Sequence, residues 1–127
     1  MAPVLRAGEL PSRDRGGGVR STFLVAPGTS AFASGITELD PGSALALHAH
    51  DCDESVLVLD GDATYDEAGA THALGRGDAT LVPAGVLHRF ANRSAAPLRI
   101  LFVYGASRPT RTLASGETLV VGEEPAS

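Results

Sequence analysis

From Arg20 onward the chain alternates short apolar runs with breaks made of Gly, Pro, Asp and Asn. Residues 20–25 read as a strand closed by Ala26-Pro27-Gly28, and residues 31–39 as a second closed by Asp40-Pro41-Gly42. Runs at 45–50, 54–59, 63–65, 72–74, 79–82, 88–92, 98–104 and 118–121 continue the series. No stretch sustains the 3.6-residue period of an amphipathic helix. Many short strands with regular turn signals predict an all-β antiparallel sandwich or barrel. Residues 1–19 carry Pro3, Pro11 and Gly16-Gly17-Gly18, which break any period, and read as a flexible arm. The expected organisation is one domain over 20–122, with a frayed acidic end at 123–127.

Composition narrows the picture. The 127 residues suit one core and leave no room for a second domain. A net charge of -5 speaks against a nucleic-acid or anionic membrane partner. No apolar run approaches the roughly 20 residues of a membrane helix, and the first residues lack the apolar stretch of a secretory signal. The single cysteine, Cys52, excludes an internal disulfide and fits a reducing, cytoplasmic setting. All ten basic residues are arginine, so a Schiff-base lysine and a phosphate-loop lysine are both excluded. Chemistry falls to four histidines, one cysteine, two tyrosines, the carboxylates and the arginines.

Two segments concentrate those residues. The first, 42–61, is GSALALHAHDCDESVLVLDG. His48 and His50 are two apart, so in a strand both imidazoles face one way. Glu54 opens the next run after a short Asp-Cys-Asp turn, and a hairpin there brings its carboxylate beside the rings. The second, 77–92, is GDATLVPAGVLHRFAN, with His88 just past Pro83-Ala84-Gly85. Three imidazoles and one carboxylate suit Fe(II), Mn(II), Zn(II), Ni(II) or Cu(II). Four protein ligands on an octahedral ion leave two positions for water or substrate.

These segments resemble the two motifs of the cupin superfamily. Gly42, His48, His50, Glu54 and Gly61 match the first motif, and Gly77, Pro83, Gly85, His88 and Asn92 the second, at every fixed position. The resemblance implies a small jelly-roll β-barrel, often a homodimer, with His48, His50, Glu54 and His88 as metal ligands near the barrel interior. The glycines are expected to supply turn geometry, and Asn92 to satisfy backbone groups in a turn.

Strand alternation adds further expectations. Ala44 and Ala46 share the face of His48 and His50 and would leave room for a substrate. Strand 98–104 has one face of Leu98, Ile100, Phe102 and Tyr104 and another of Arg99, Leu101 and Val103; only the first would bring the Tyr104 phenol to a substrate. Cys52 reads as an inert loop thiol and His72 as a surface or packing residue. Asp51, Asp53, Asp60, Asp62, Asp66 and Glu67 read as a solvated acidic patch. Arg89 and Arg93 point outward, toward solvent or a partner subunit. Three function classes fit: an Fe(II) or Mn(II) dioxygenase-like enzyme on a small organic substrate, placed first; a non-redox isomerase, lyase or polyketide cyclase with Zn(II), Ni(II) or another ion as Lewis acid; and a non-catalytic small-molecule sensor.

Overall fold

The computed structural model describes residues 4–123. Twelve strands form two six-stranded antiparallel sheets, and among the described residues the sole helical element is one 3-10 turn, Ala7–Glu9. In chain order the strands are β1 (Arg13–Gly16), β2 (Val19–Val25), β3 (Ala33–Leu39), β4 (His48–His50), β5 (Glu54–Asp60) and β6 (Ala63–Glu67). Then come β7 (Ala70–Leu74), β8 (Ala79–Val82), β9 (His88–Ala91), β10 (Leu98–Tyr104), β11 (Thr110–Leu113) and β12 (Thr118–Val120). One sheet has the order β1-β2-β3-β10-β5-β8, the other β12-β11-β4-β9-β6-β7. This is the all-β, two-sheet architecture that the strand pattern predicts.

The core lies between the inner faces of the sheets. In β10 burial alternates strictly, so Leu98, Ile100, Phe102 and Tyr104 are the inward set. They pack with Val56, Val58, Tyr65, Val82 and Phe90 in one apolar cluster. Each such side chain contributes on the order of 1.5–3 kcal/mol by leaving water. Gly61 shows why a motif glycine is needed here: its φ is 90°, and a Cβ would stand 2.5 Å from the carbonyl oxygen of Pro97.

Two strands lie outside the expected set. Arg13–Gly16, in the stretch read as an arm, forms β1 and pairs with β2. Gly16, Gly17 and Gly18, read as a breaker, all have positive φ and make the reversal between β1 and β2. β11 is the second addition; it sits between β12 and β4. The run expected at 45–50 is strand only from His48, preceded by an isolated bridge between Ala44 and Ala91. Most of the expected frayed end, residues 124–127, lies outside the described residues.

Candidate metal centre

The short strand β4 presents His48 and His50, and β9 presents His88 directly opposite His48. All three are buried, at 5%, 4% and 1% exposure. One nitrogen from each ring lies within 4.8 Å of the others. Glu54 comes from the facing sheet, where it pairs with Tyr104 on one side and Val82 on the other. Its Oε1 stands 3.2 Å from His88 Nε2 and 3.5 Å from His50 Nε2. The three-histidine cluster is compact by itself, and Glu54 flanks it against two of its rings.

Backbone carbonyls set the tautomers. His48 Nδ1 lies 2.6 Å from the oxygen of Ala46, His50 Nδ1 2.9 Å from that of Thr110, and His88 Nδ1 2.9 Å from that of Val86. A carbonyl only accepts, so each Nδ1 carries the proton and donates. Each Nε2 is thereby left to ligate, the arrangement typical of metal-binding histidines. His50 Nε2 is buried with no hydrogen-bond partner. Burial, and then the neighbouring rings of His88 and His50, pull His48 down to about 2. His50 is lowered too, by burial first, with Glu54 opposing. Three buried imidazoles with Nδ1 turned to carbonyls and one orphaned Nε2 fit a divalent metal ion.

The loops around the cluster are held by the acidic patch. Asp51 Oδ1 accepts from Thr110 N at 2.9 Å, and Asp53 Oδ1 accepts from Ala84 N at 2.9 Å. These two aspartates are exposed as expected, yet they bind backbone amides flanking the site. Cys52 is half-buried against the core, and burial together with Asp51 pushes its thiol up to about 11. A protonated thiol is a poor ligand and nucleophile, which agrees with an inert role. Asn92 is fully buried, donating to the carbonyls of Leu39 and Ala96 and accepting from Ser94. His72 is exposed on β7, opposite Tyr65. Arg89 is drawn to Asp66 at 2.9 Å, while Arg93 is exposed.

Tyr104 belongs to the inward face of β10. Its ring lies 4.7 Å from that of His50 and it lines a small cavity of about 40 Å³ with His48, Glu54 and His88. The alanine expectation is corrected: Ala44 and Ala46 are exposed, and Leu45 lines the cavity instead. The reason is local. Alternation counted back from His48 assumes strand, but residues 45–47 are irregular, and Leu45 N bonds Phe90 O. Sequence reasoning missed Arg13, Arg15 and Arg111 as cavity-lining residues.

A family model described as "Cupin domain" matches residues 35–104. Protein SchB of Streptomyces halstedii is 34% identical over 111 residues, covering 85% of this chain and 80% of that protein. The tetracenomycin polyketide synthase protein TcmJ of Streptomyces glaucescens is 28% identical over 92% of this chain and 80% of its own. Among solved structures, the polyketide cyclase RemF of Streptomyces resistomycificus superposes with a TM-score of 0.76 at 18% identity, over 99% of this chain and 89% of that one. At such identity the likeness is one of fold. With the matched segment spanning more than half the chain and containing all three clustered histidines, this protein belongs to the cupin family.

Proposed function

We propose that this protein is a metal-dependent, non-redox cyclase acting on a polyketide-type substrate, a small organic chain rich in carbonyl groups. The observation that carries the reading is the match, over 92% of this chain, to a protein named for tetracenomycin polyketide synthase. On sequence alone dioxygenase chemistry stands first; that match moves the cyclase reading ahead of it. The buried histidine cluster supports a metal as part of the machinery.

In this reading His48, His50 and His88 hold the ion through Nε2, with Glu54 as a fourth donor. Zn(II) or Ni(II) serves as well as Fe(II) or Mn(II), since the donors are imidazole and carboxylate. A divalent ion held there would supply Lewis acidity for a substrate carbonyl. Tyr104, across the β5–β10 ladder from Glu54, would give its proton to the attacked carbonyl oxygen as an enol carbon of the same chain forms the new carbon–carbon bond, and its phenolate would take back the proton that the enol O–H releases. Val56, Phe90, Ile100 and Phe102 keep bulk water from the cavity. The same reading includes a homodimer, because Leu81 is 69% exposed on β8 at the edge of its sheet. Light scattering checks that part: a single-chain mass would retire it.

The test is to purify the protein, identify its metal by elemental analysis, and incubate it with a linear poly-β-ketone while recording oxygen. Cyclised product without oxygen uptake is expected. Oxygen consumption in step with substrate loss would return the assignment to the oxygenase class. Binding without turnover under every metal would assign a sensor.

A further inference from the structure

β7 and β8 are each the last strand of their sheet, and together they flank a depression of about 550 Å³. Opposed residues of an antiparallel pair point to the same face. Thr80 stands opposite Val56 and His72 opposite Tyr65, and Val56 and Tyr65 are core residues at 2% and 3% exposure. Thr80 and His72 therefore face the space between the sheets, at its open edge. Leu81, the exposed contact of the proposed homodimer, follows Thr80 and takes the opposite face of β8.

This seam is polar where it meets the core. Thr80 Oγ1 is buried with no hydrogen-bond partner, which is costly unless a further group bonds it. Glu67 Oε1 accepts from the Tyr65 hydroxyl at 2.8 Å, and a carboxylate has acceptor sites beyond that one. The rings of Tyr65 and His72 lie 6.2 Å apart with a tilt of 31°, and Leu74 and Ala79 add apolar wall. A ligand matching these groups is planar, mostly apolar and bears hydroxyls. A phenolic O–H is an acidic neutral donor, and its bond to a carboxylate is charge-assisted. The metal cavity, at about 40 Å³, is too small for such a ring, since pockets for small organic ligands span roughly 300–1,000 Å³. Tyr65 stands between the two spaces: it lines the seam, and its ring lies 6.4 Å from that of His88.

We infer that the seam between β7 and β8 is a binding site for a phenolic ligand, whose hydroxyls are taken by Glu67 and Thr80 and whose ring lies against Tyr65 and His72. The inference deepens the cyclase reading and rests on it for the origin of the ligand, because a cyclised poly-β-ketone that loses water becomes a phenol. It also has a readout independent of metal and turnover. The probes are resorcinol, resorcinol dimethyl ether and benzylamine, titrated into metal-free and zinc-loaded protein and followed by backbone amide NMR shifts.

Shifts are expected at residues 71–74 and 79–81, with resorcinol binding about tenfold more tightly than its ether and equally well with and without zinc. T80V and E67Q should each lower that preference severalfold. T80V removes a buried hydroxyl that has no partner, so it should melt no lower than the parent protein and isolates recognition from folding. Equal affinity for resorcinol and its ether, tighter binding of benzylamine, or shifts confined to residues 48–50 and 88–91 would overturn the inference. So would an unchanged preference in folded T80V and E67Q. Resorcinol selectivity in protein that fails to cyclise would uphold the seam and remove the cyclase. Cyclisation by protein that binds resorcinol and its ether alike would uphold the cyclase and remove the seam.

Discussion

Glu54 Oε1 faces His88 Nε2 at 3.2 Å, while the other nitrogen of that ring donates to the carbonyl of Val86. With Nδ1 committed to the backbone, a carboxylate oxygen and the remaining ring nitrogen meet across a buried gap, which positive charge between them stabilises. A metal ion held by the three rings would supply that charge. His48→Ala and His88→Ala are therefore expected to lose metal almost completely, and Glu54→Gln to weaken it by about 10–100-fold. Elemental analysis after dialysis at matched metal concentration decides. Full occupancy in both histidine variants would remove the cluster from consideration as the metal centre.

The same burial makes the metal-free fold sensitive to acid. His48 is pulled down to about 2 in the folded chain and His50 is also lowered, whereas unfolded histidine titrates near 6.5. Below that value the unfolded state binds more protons than the folded one. Stability is thus fully present above about pH 6.5 and is lost as pH falls through and below it. Each such histidine contributes a slope of at most about 1.4 kcal/mol per pH unit. Thermal melts of metal-free protein at pH 7 and 5 should differ by several degrees, and His48→Gln should flatten the slope. An identical slope in that variant would show that the histidines do not carry it.

What could be read from the sequence followed from how regular each element is. In β10 every residue but Arg99 is apolar and every second residue is buried, so the run marked a strand and only the choice of inward face was open. The histidine cluster was legible because His48 and His50 sit in a true strand and His88 opens another. β1 and β11 were not. Arg13–Gly16 contains no apolar residue and Thr110–Leu113 only one, and β11 is half-buried throughout. Such strands are fixed by their neighbours' hydrogen bonds, and periodicity carries no trace of them. The cavity-lining positions of Arg13, Arg15 and Arg111 were invisible for the same reason, since they depend on where those two strands pack.

Tyr104 separates support from chemistry. Its ring lies 4.7 Å from His50, a contact that phenylalanine preserves. Tyr104→Phe should keep metal content and melting temperature near those of the parent protein. Loss of the proton donor should slow cyclisation by about 10²–10⁴-fold. The measurement is the single-turnover rate at full metal occupancy. An unchanged rate would make Tyr104 a packing residue only.

Asn92 holds the far end of β9 with no exposure at all. Its Nδ2 donates to Leu39 O at 3.0 Å and Ala96 O at 2.8 Å, and its Oδ1 accepts from Ser94 N at 3.0 Å and Ser94 Oγ at 2.7 Å. Its backbone adds a bond to Ser43 and one from Gly42, so β9, the start of the histidine segment and the end of β3 meet at this one amide. Asn92→Ala strips partners from several of these groups at once, and unsatisfied buried groups cost about 1–3 kcal/mol each. A total loss of about 2–4 kcal/mol is expected, seen as a large drop in denaturation midpoint. Asn92→Asp should be no milder, because it replaces both donors with an acceptor facing two carbonyls. Metal stoichiometry at low temperature should be unchanged in both, as Asn92 touches none of the ligating rings. A midpoint equal to that of the parent protein would mean that this amide is not what ties the three elements together.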